Sequence, residues 1–435
     1  DVKLWPLVKG RVEVANFEIN KAKVNTNGFI PDVRVKGTVE QLKAVCNANL
    51  SPVDSTRTMQ SHEMVIALES VSLKKSRIDV VLGDTAAKDT TSTPANYLIN
   101  VSKVDIEDTG VTVHLPGDTL QMYAYLGSAT LAGGVFDLAR ESYAVERLRW
   151  TGGEVRYDDV FQPRLKGFDY NHVALSDVRI ALDSISYCAP DACLKIVECA
   201  MKEKSGIEMS SLEGALVMDS AKVFVPRLTL RTPDSDLHLE CDMDIDAFDE
   251  RNPGNVYLRL FAELGKQDIM RFAGDMPQQF VKRYPNRPLS VKLSLNGNMR
   301  KARVSGLDVS LPTAFKLFAE GYAIEPMDIG RMKAELKMRA TTYDLGFATA
   351  LASLPAGVRI PSNITMNASI KADCQLYSAE MRIKEGKGLV TAKGKYNHRM
   401  AAYTADVKVN GLNIKHFMPR DSIGTLTCSM SVDGV

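Results

Sequence analysis

The chain has 435 residues, of which 45% are hydrophobic and 25% charged, and its formal net charge is +1. This balance is typical of a soluble folded protein rather than a disordered or collagen-like chain. A near-neutral chain without a run of basic residues argues against nucleic acid as the main partner, because phosphate backbones are bound by concentrated positive surfaces.

Alternating apolar and polar residues, the pattern of a strand with one solvated face, begin near the N-terminus and recur along the chain. Early examples are "VEVANFEINKAKV" and "PDVRVKGTV", and the low-complexity segment 83–96 reads as a solvated loop. The Gly152-Gly153 pair predicts a two-residue hairpin turn that places Trp150 opposite Val155. The pairs Asn27-Gly28, Asn296-Gly297 and Asn410-Gly411 are further turn candidates, so the pattern predicts an antiparallel meander.

Seven cysteines are spread along the chain without a CxxC pair, which disfavours a zinc site. Cys188 and Cys193 flank a Pro190-Asp191 turn, and two states stay open for them: free thiols or a local disulfide. The segment "CLKIVECAMKEKSG" is read as a strand followed by a turn.

The stretch "LHLECDMDID" contains Glu240, Asp242, Asp244 and Asp246, interleaved with apolar residues at every second position. A strand would place all four acids on one face. A calcium-binding loop starting at Asp242 would need glycine at its sixth position, where this chain has an alanine. The stretch is therefore predicted to be a strand with a solvated acidic face rather than a cation site.

Further alternating rows follow in "SVKLSLNG", "GLDVSL", "RMKAELKMRA", "NITMNASIKA" and "TADVKVNGLNI". Helical signals are few. Short helices are predicted near 266–283, with a break at Gly274 and Pro277, and near 343–353.

Catalytic signatures are missing: the chain has no GxSxG, Walker loop, GxGxxG or HExxH pattern, and its six histidines are scattered singly. His238 lies on the same predicted face as the four acids of "LHLECDMDID" and is predicted to make a surface contact with one of them. A polysaccharide-acting enzyme or binder would need acids and aromatics clustered in a cleft, which two tryptophans and acids on solvated faces do not provide. We therefore expect neither an enzyme nor a cofactor or metal site.

So many one-sided strands supply more apolar sheet face than two or three short helices can cover. The face must pack against a second sheet in a closed sandwich, or curl into an open groove whose apolar lining binds an amphiphile. Composition alone leaves both open.

Five segments resemble the TamB proteins of Bacteroidota, within the AsmA-like group of bridge-like lipid transfer proteins. They are "FDYNHVALSDVRIALDSISY", "EKSGIEMSSLEG", "LTLRTPDSDLHLECDMDIDAF", "RFAGDMPQQFVKRYPNRPLSVKLSLNGNMR" and "GKGLVTAKGKYNHRMAAYTADVKVNGLNIKHFMPRDSIGTLTCSMSVDG". The resemblance covers residues 165–435 well and 1–164 more loosely. It implies two parts of one curled β-sheet, 1–164 and 165–435, in a fragment of a longer chain.

The resemblance further implies a mostly β fold, a long antiparallel meander curled into an elongated groove (a β-taco). The implied function is to carry phospholipid across the periplasm of a Gram-negative bacterium between inner and outer membranes, supporting outer-membrane biogenesis. The implied parent protein is anchored in the inner membrane and meets an outer-membrane barrel of the Omp85 family through its missing C-terminal part. The alternative is a scaffold of a translocation and assembly module that helps outer-membrane proteins to assemble.

By analogy with the groove of that family, the resemblance assigns the lining that contacts acyl chains to the apolar rows. The assigned residues are Leu239, Met243, Ile245, Val291, Leu293, Leu295, Met332, Leu336, Met338, Ile364, Met366, Ile370, Val407 and Val409. No catalytic residue is implied.

Overall fold

A computed structural model describes residues 11–13, 17–27, 33–45, 64–82, 97–114, 120–159, 161–249, 251–274, 276–351, 358–420 and 424–435. These residues form a mostly β fold of twenty-four strands and two short α-helices, which confirms the fold class predicted from the alternating rows. Residue contacts divide the chain into two units, Asp1–Ser220 and Ala221–Val435. The predicted boundary at 164/165 lies between two strands of the first unit.

The first unit contains twelve strands. They are β1 (Arg11–Glu13), β2 (Phe17–Asn27), β3 (Val33–Val45), β4 (Met64–Lys74), β5 (Arg77–Leu82), β6 (Tyr97–His114), β7 (Leu120–Asp137), β8 (Ser142–Asp159), β9 (His172–Cys188), β10 (Asp191–Glu203), β11 (Glu208–Met209) and β12 (Ser211–Met218). Strands β6 to β10 form the predicted antiparallel meander, and β12 pairs with β10. The segment "CLKIVECAMKEKSG" is strand and then turn, as predicted.

Three pairings in this unit depart from the antiparallel meander: β1 runs parallel to β4, and β4 and β5 run parallel to β6. Parallel neighbours need a connection of about a dozen residues or more, and the segment between β5 and β6, residues 83–96, has that length. The early strands β2 and β3 form an antiparallel pair, and β3 is antiparallel to β4 and β5.

The prediction of a hairpin turn at Gly152-Gly153 is wrong. Strand β8 continues through both glycines, and its pairing with β9 shifts register on either side of Gly153. Gly152 has a φ of +64°, and a Cβ added to Gly153 would lie 2.4 Å from the indole of Trp150. The two glycines therefore form a β-bulge over which Trp150 packs, rather than a reversal of the chain.

The second unit contains the other twelve strands and both helices. The strands are β13 (Lys222–Arg231), β14 (Asp236–Asp244), β15 (Val256–Leu264), β16 (Leu289–Gly297), β17 (Lys301–Leu311), β18 (Phe315–Ile324), β19 (Lys333–Thr342), β20 (Ile364–Asp373), β21 (Leu376–Glu385), β22 (Gly388–Asn397), β23 (Ala402–Asn413) and β24 (Thr425–Gly434). From β13 to β24 each strand pairs antiparallel with the next. Within the described pairings β24 does not return to β13, so this sheet is open.

Two of the other predicted turns lie inside or beside strands. Asn296-Gly297 ends β16, and the reversal follows at Asn298–Lys301, whose backbone groups bond to each other in both directions. Asn410-Gly411 lies within β23, where Gly411 has a φ of +60° at a register shift. The Asn27-Gly28 pair extends outside the described residues.

The helices lie where the sequence predicts them. Helix α1 (Lys266–Ala273) ends at Gly274, which has a φ of +69°, and helix α2 (Gln278–Arg283) begins after Pro277. The break therefore has the predicted cause, a left-handed glycine followed by a proline. The second predicted helical region contains one 3-10 turn, Ala348–Ala350, and residues 352–357 lie outside the described part.

A buried apolar cluster joins these helices to the ends of strands β17 and β18. Phe280, Tyr284, Leu311, Ala314 and Phe347 are its most buried members, and the rings of Phe280, Tyr284 and Phe347 lie 5.3–5.6 Å apart. The carboxylate of Asp268 on α1 accepts hydrogen bonds from the hydroxyls of Thr232 and Ser235. This anchor fixes α1 to the β13–β14 turn.

Candidate functional site

The acidic strand residues of the stretch "LHLECDMDID" lie on a solvated face of the sheet. Strand β14 ends at Asp244, so Asp246 lies in the turn that follows. Glu240 pairs with Arg259 at 3.8 Å, and Asp242 pairs with Lys222 at 3.1 Å. The acids are thus partners of cross-strand cations on this face, which we call the charged face.

The opposite face of the same sheet carries three unbroken apolar rows that cross all twelve strands. Directly opposed residues on neighbouring strands share a face, so the register defines each row. The central row is Leu228, Leu239, Leu260, Leu293, Leu307, Ala319, Met338, Ala368, Met381, Ala392, Val407 and Met430.

The two flanking rows follow the same register. One is Val225, Cys241, Leu258, Leu295, Val304, Gly321, Leu336, Ile370, Ala379, Gly394, Ala405 and Val432, and the other is Leu230, Leu237, Ala262, Val291, Val309, Leu317, Ala340, Met366, Ile383, Val390, Val409 and Cys428. None of the three rows contains a charged residue. We call this surface the apolar face; at about 4.8 Å per strand it extends roughly 50 Å across the strands.

Twelve of the fourteen residues predicted to line a groove lie in strands on the apolar face. They are Leu239, Met243, Val291, Leu293, Leu295, Leu336, Met338, Ile364, Met366, Ile370, Val407 and Val409. The other two lie just outside strands, because Ile245 follows β14 and Met332 precedes β19. Register therefore brings the predicted set together on one surface.

The sequence-based assignment of the lining omitted residues from several strands that complete the apolar face. Strand β15 contributes Leu258 and Leu260, β21 contributes Met381 and Ile383, and β24 contributes Met430. Alternation is visible in "VYLRLFAEL", but aromatic residues also occupy its solvated positions and blur the pattern. In β17 a register shift near Gly306 interrupts the period, so only the pairing shows that Val304 and Leu307 share the face.

The large side chains of the apolar rows are half-buried or exposed, and none is fully buried. Ile370 is 40% exposed and Met430 56% exposed. The buried cluster around Phe280 contacts the face only at one end of its strands, through Leu289 and Phe315. Within the described part of this unit, the cluster covers these strand ends, and the large apolar side chains elsewhere on the face are not fully buried.

Two features set the chemical character of the apolar face. Burial raises the pKa of the Cys241 thiol, with a contribution from Asp242, so this thiol is neutral at pH 7 and acts as a small apolar side chain. Tyr377 and Tyr396 stack with ring centroids 6.1 Å apart, and Tyr403 lies opposite Tyr396, so a tyrosine ladder ends the face at β21–β23. The face presents hydrocarbon in its middle and hydroxyls at this end.

Polar constellations elsewhere are structural contacts. His238 makes a surface contact, but its acid partner is Asp236, at 3.4 Å, rather than one of the four predicted acids, and its ring stacks on Phe261. Cys188 and Cys193 are free thiols. Among the described residues no group of three or more His, Cys, Asp or Glu side chains is placed to hold a metal ion.

In the first unit Asp169 and His172 form a buried ionisable pair, whose carboxylate oxygen and ring nitrogen Nδ1 lie 3.0 Å apart. Burial by itself raises the pKa of Asp169, but hydrogen bonds from the Leu165 backbone, His172 and the Asn171 backbone lower it below its usual value. The pair and its backbone hydrogen bonds stabilise the conformation of the segment between β8 and β9.

The first unit also has apolar rows of its own. One crosses β6 to β10 through Ile106, Ala129, Trp150, Ile180 and Cys199. Half-buried apolar rows therefore occur in each of the two units.

Comparison of the chain with models of protein families, with curated proteins and with solved structures finds no match. The resemblance to the TamB proteins stays a prediction. Across the described residues, no helix has the length and hydrophobicity to cross a membrane.

Proposed function

We propose that the apolar face binds the acyl chains of phospholipids, and that this chain is a segment of a bridge carrying phospholipid between the inner and outer membranes of a Gram-negative bacterium. The observation that supports the proposal is the set of three uncharged rows across twelve strands, whose large side chains are not fully buried. Soluble proteins rarely leave apolar patches above a few hundred Å² open unless a partner binds there.

The energetics of such a surface suit transport. Burying a methylene group contributes about 0.8 kcal/mol, so several methylenes on the face outweigh the loss of freedom of the chain. Because the rows repeat apolar side chains from β13 to β24, neighbouring positions offer similar binding energies. A lipid can then shift along the rows without crossing a charged position.

In this proposal the chain lies in the periplasm, its parent protein is anchored in the inner membrane, and an Omp85-family barrel is its partner at the outer membrane. The transport supports outer-membrane biogenesis. The surface needs no catalytic residue or cofactor for this role, since the lipid leaves chemically unchanged.

Lipid extraction tests the proposal. The purified 435-residue chain is extracted with organic solvent and the lipids are quantified by mass spectrometry, and transfer of a fluorescent phospholipid between donor and acceptor vesicles is measured with and without the protein. We expect phospholipid in the extract and faster transfer. A protein that carries no lipid and binds no fluorescent fatty acid would rule the proposal out.

Strand β24 favours a second candidate function, a scaffold that helps outer-membrane proteins to assemble. In the described chain β24 pairs with β23 alone, and nearly all its residues are exposed on both faces. Such an edge can accept an incoming strand by β-augmentation. Photo-crosslinkers distinguish the two: protein adducts at Ser431 of β24 support the scaffold, and lipid adducts at Leu336 support the conduit.

A further inference from the structure

The charged face of β19 to β23 has an excess of positive charge that the whole chain does not have. Nine cations and four anions project from it, whereas the complete sequence has a net charge of +1. The cations are Lys333, Lys337, Arg339, Lys371, Arg382, Lys384, Lys393, Lys395 and Lys408, and the anions are Glu335, Asp373, Glu380 and Asp406.

Four of these cations lie within 4.0 Å of three acids. Lys333 lies 3.3 Å from Asp373, Lys393 lies 3.0 Å from Glu380, and Lys337 and Lys371 share Glu335 at 3.5 and 3.7 Å.

The other five make no ion pair within the described part of the chain, and all five are exposed. They are Arg339, Arg382, Lys384, Lys395 and Lys408. Most of the excess charge of this face therefore belongs to side chains that make no ion pair there.

Two of the five stand on either side of a shared amide. Asn367 on β20 is directly opposite Arg339 on β19 and directly opposite Arg382 on β21. The two arginines are thus two strands, or about 10 Å, apart. Their guanidinium groups can therefore reach a ligand that lies between them. A shallow cavity of 440 Å³ lies here, lined by both arginines, Asn367, Ser369 and Thr391 among others.

We propose that Arg339, Asn367 and Arg382 bind the phosphate group of a phosphate-bearing polar molecule. One guanidinium satisfies both oxygens of a carboxylate, whereas a phosphate has enough acceptor oxygens for two forks and an amide donor. The cavity volume is that of a small-molecule site rather than of a bare ion. Glu380 also lines the cavity, but Lys393 neutralises it.

This site lies on the face opposite to the apolar rows, so it stands whether or not the apolar face binds lipid. The phosphate can come from a soluble phosphate monoester or from the headgroup of a lipid. The chemistry at the two arginines is the same for both.

Calorimetric titration of the full chain tests the site, with glycerol 3-phosphate as the soluble probe, glycerol as the uncharged control and inorganic phosphate as the bare ion. Vesicles of phosphatidylcholine with and without phosphatidic acid supply the lipid source. We expect saturable binding of glycerol 3-phosphate or of phosphatidic acid vesicles, and the arm that binds identifies the source.

The double variant R339Q/R382Q should weaken this binding about tenfold or more, since two exposed charge-assisted contacts are lost. The matched control R287Q/K316Q removes the same charge from exposed cations elsewhere in the unit. R382K keeps the charge but loses the bidentate fork, and should also weaken binding.

Three results would overturn the proposal: absence of binding in both arms, equal weakening in R339Q/R382Q and R287Q/K316Q, or unchanged binding in R339Q/R382Q. Equal weakening would show general electrostatic attraction to a positively charged sheet. Unchanged thermal unfolding of the variants ensures that a loss of binding is not a loss of fold.

Discussion

Replacing Leu336 by aspartate places one negative charge in the middle of the apolar face. Leu336 is half-buried and lies between Gly321 and Ile370 on the neighbouring strands. A charge there keeps an acyl chain away over about one strand spacing on each side, about 10 Å in total. A chain lying on a face buries about half of each methylene, about 0.4 kcal/mol, so displacing the roughly eight methylenes that span 10 Å costs about 3.2 kcal/mol. Affinity should fall about 200-fold.

The matched control is Thr341→Asp in the same strand. Thr341 lies on the charged face opposite Lys316, so the same new charge meets water and a cation. Binding is measured by titrating a fluorescent fatty acid, and folding by circular dichroism during thermal unfolding. Both variants should keep the β spectrum, and each should lose about 1 kcal/mol of stability because aspartate is unfavourable in strands. Equal affinities for Leu336→Asp, Thr341→Asp and the unmodified chain would refute the assignment of the apolar face.

Three further predictions concern stability. Gly321→Ala should lower the free energy of unfolding, measured by urea titration, by about 1–3 kcal/mol, because the new Cβ would lie 2.4 Å from a backbone oxygen. The control Gly394→Ala, whose new Cβ would lie 3.7 Å from the nearest atom, should be neutral in the same titration. Phe280→Ala should cost about 3–5 kcal/mol and speed amide exchange in α1 and α2; unchanged exchange there would contradict the role of the cluster. Because the pKa of Asp169 is lowered on folding, its carboxylate stabilises the fold above the unfolded pKa of about 3.9. The gap in urea midpoint between the unmodified chain and Asp169→Asn should therefore be steady above about pH 5 and shrink as pH falls through the folded pKa, and a gap independent of pH would contradict this.

The face to which each strand residue belongs could be predicted from the sequence, because it depends only on the period-two alternation within a strand. This is why the acids of β14 and the apolar residues Leu336 and Met338 are on the predicted sides. Pairing between neighbouring strands then aligns these residues, so that the alternating residues of single strands form continuous rows across the sheet. The mostly β meander follows from the same patterns, whereas they left a closed sandwich and an open sheet undecided.

The positions at which glycines bend a strand could not be predicted. Gly152 and Gly411 both have positive φ values inside long strands, a conformation that also occurs in hairpin turns. What separates the two cases is contact across strands, such as Trp150 packing over Gly153. The site at Arg339 and Arg382 was missed for a similar reason, since the two residues are 43 positions apart and only register makes them neighbours of Asn367.

The extent of the open apolar face follows from a comparison of lengths. Helices α1 and α2 have eight and six residues, which at 1.5 Å per residue gives about 12 and 9 Å. The face they would have to cover extends roughly 50 Å across its strands. Even ideal packing of both helices covers only the strand ends where Phe280 and Leu311 are buried. Within the described part of this unit, the remaining rows are thus left either to water, at a cost for every exposed methylene, or to an apolar ligand. The second arrangement is the more stable one, and it makes acyl chains the ligand to test first.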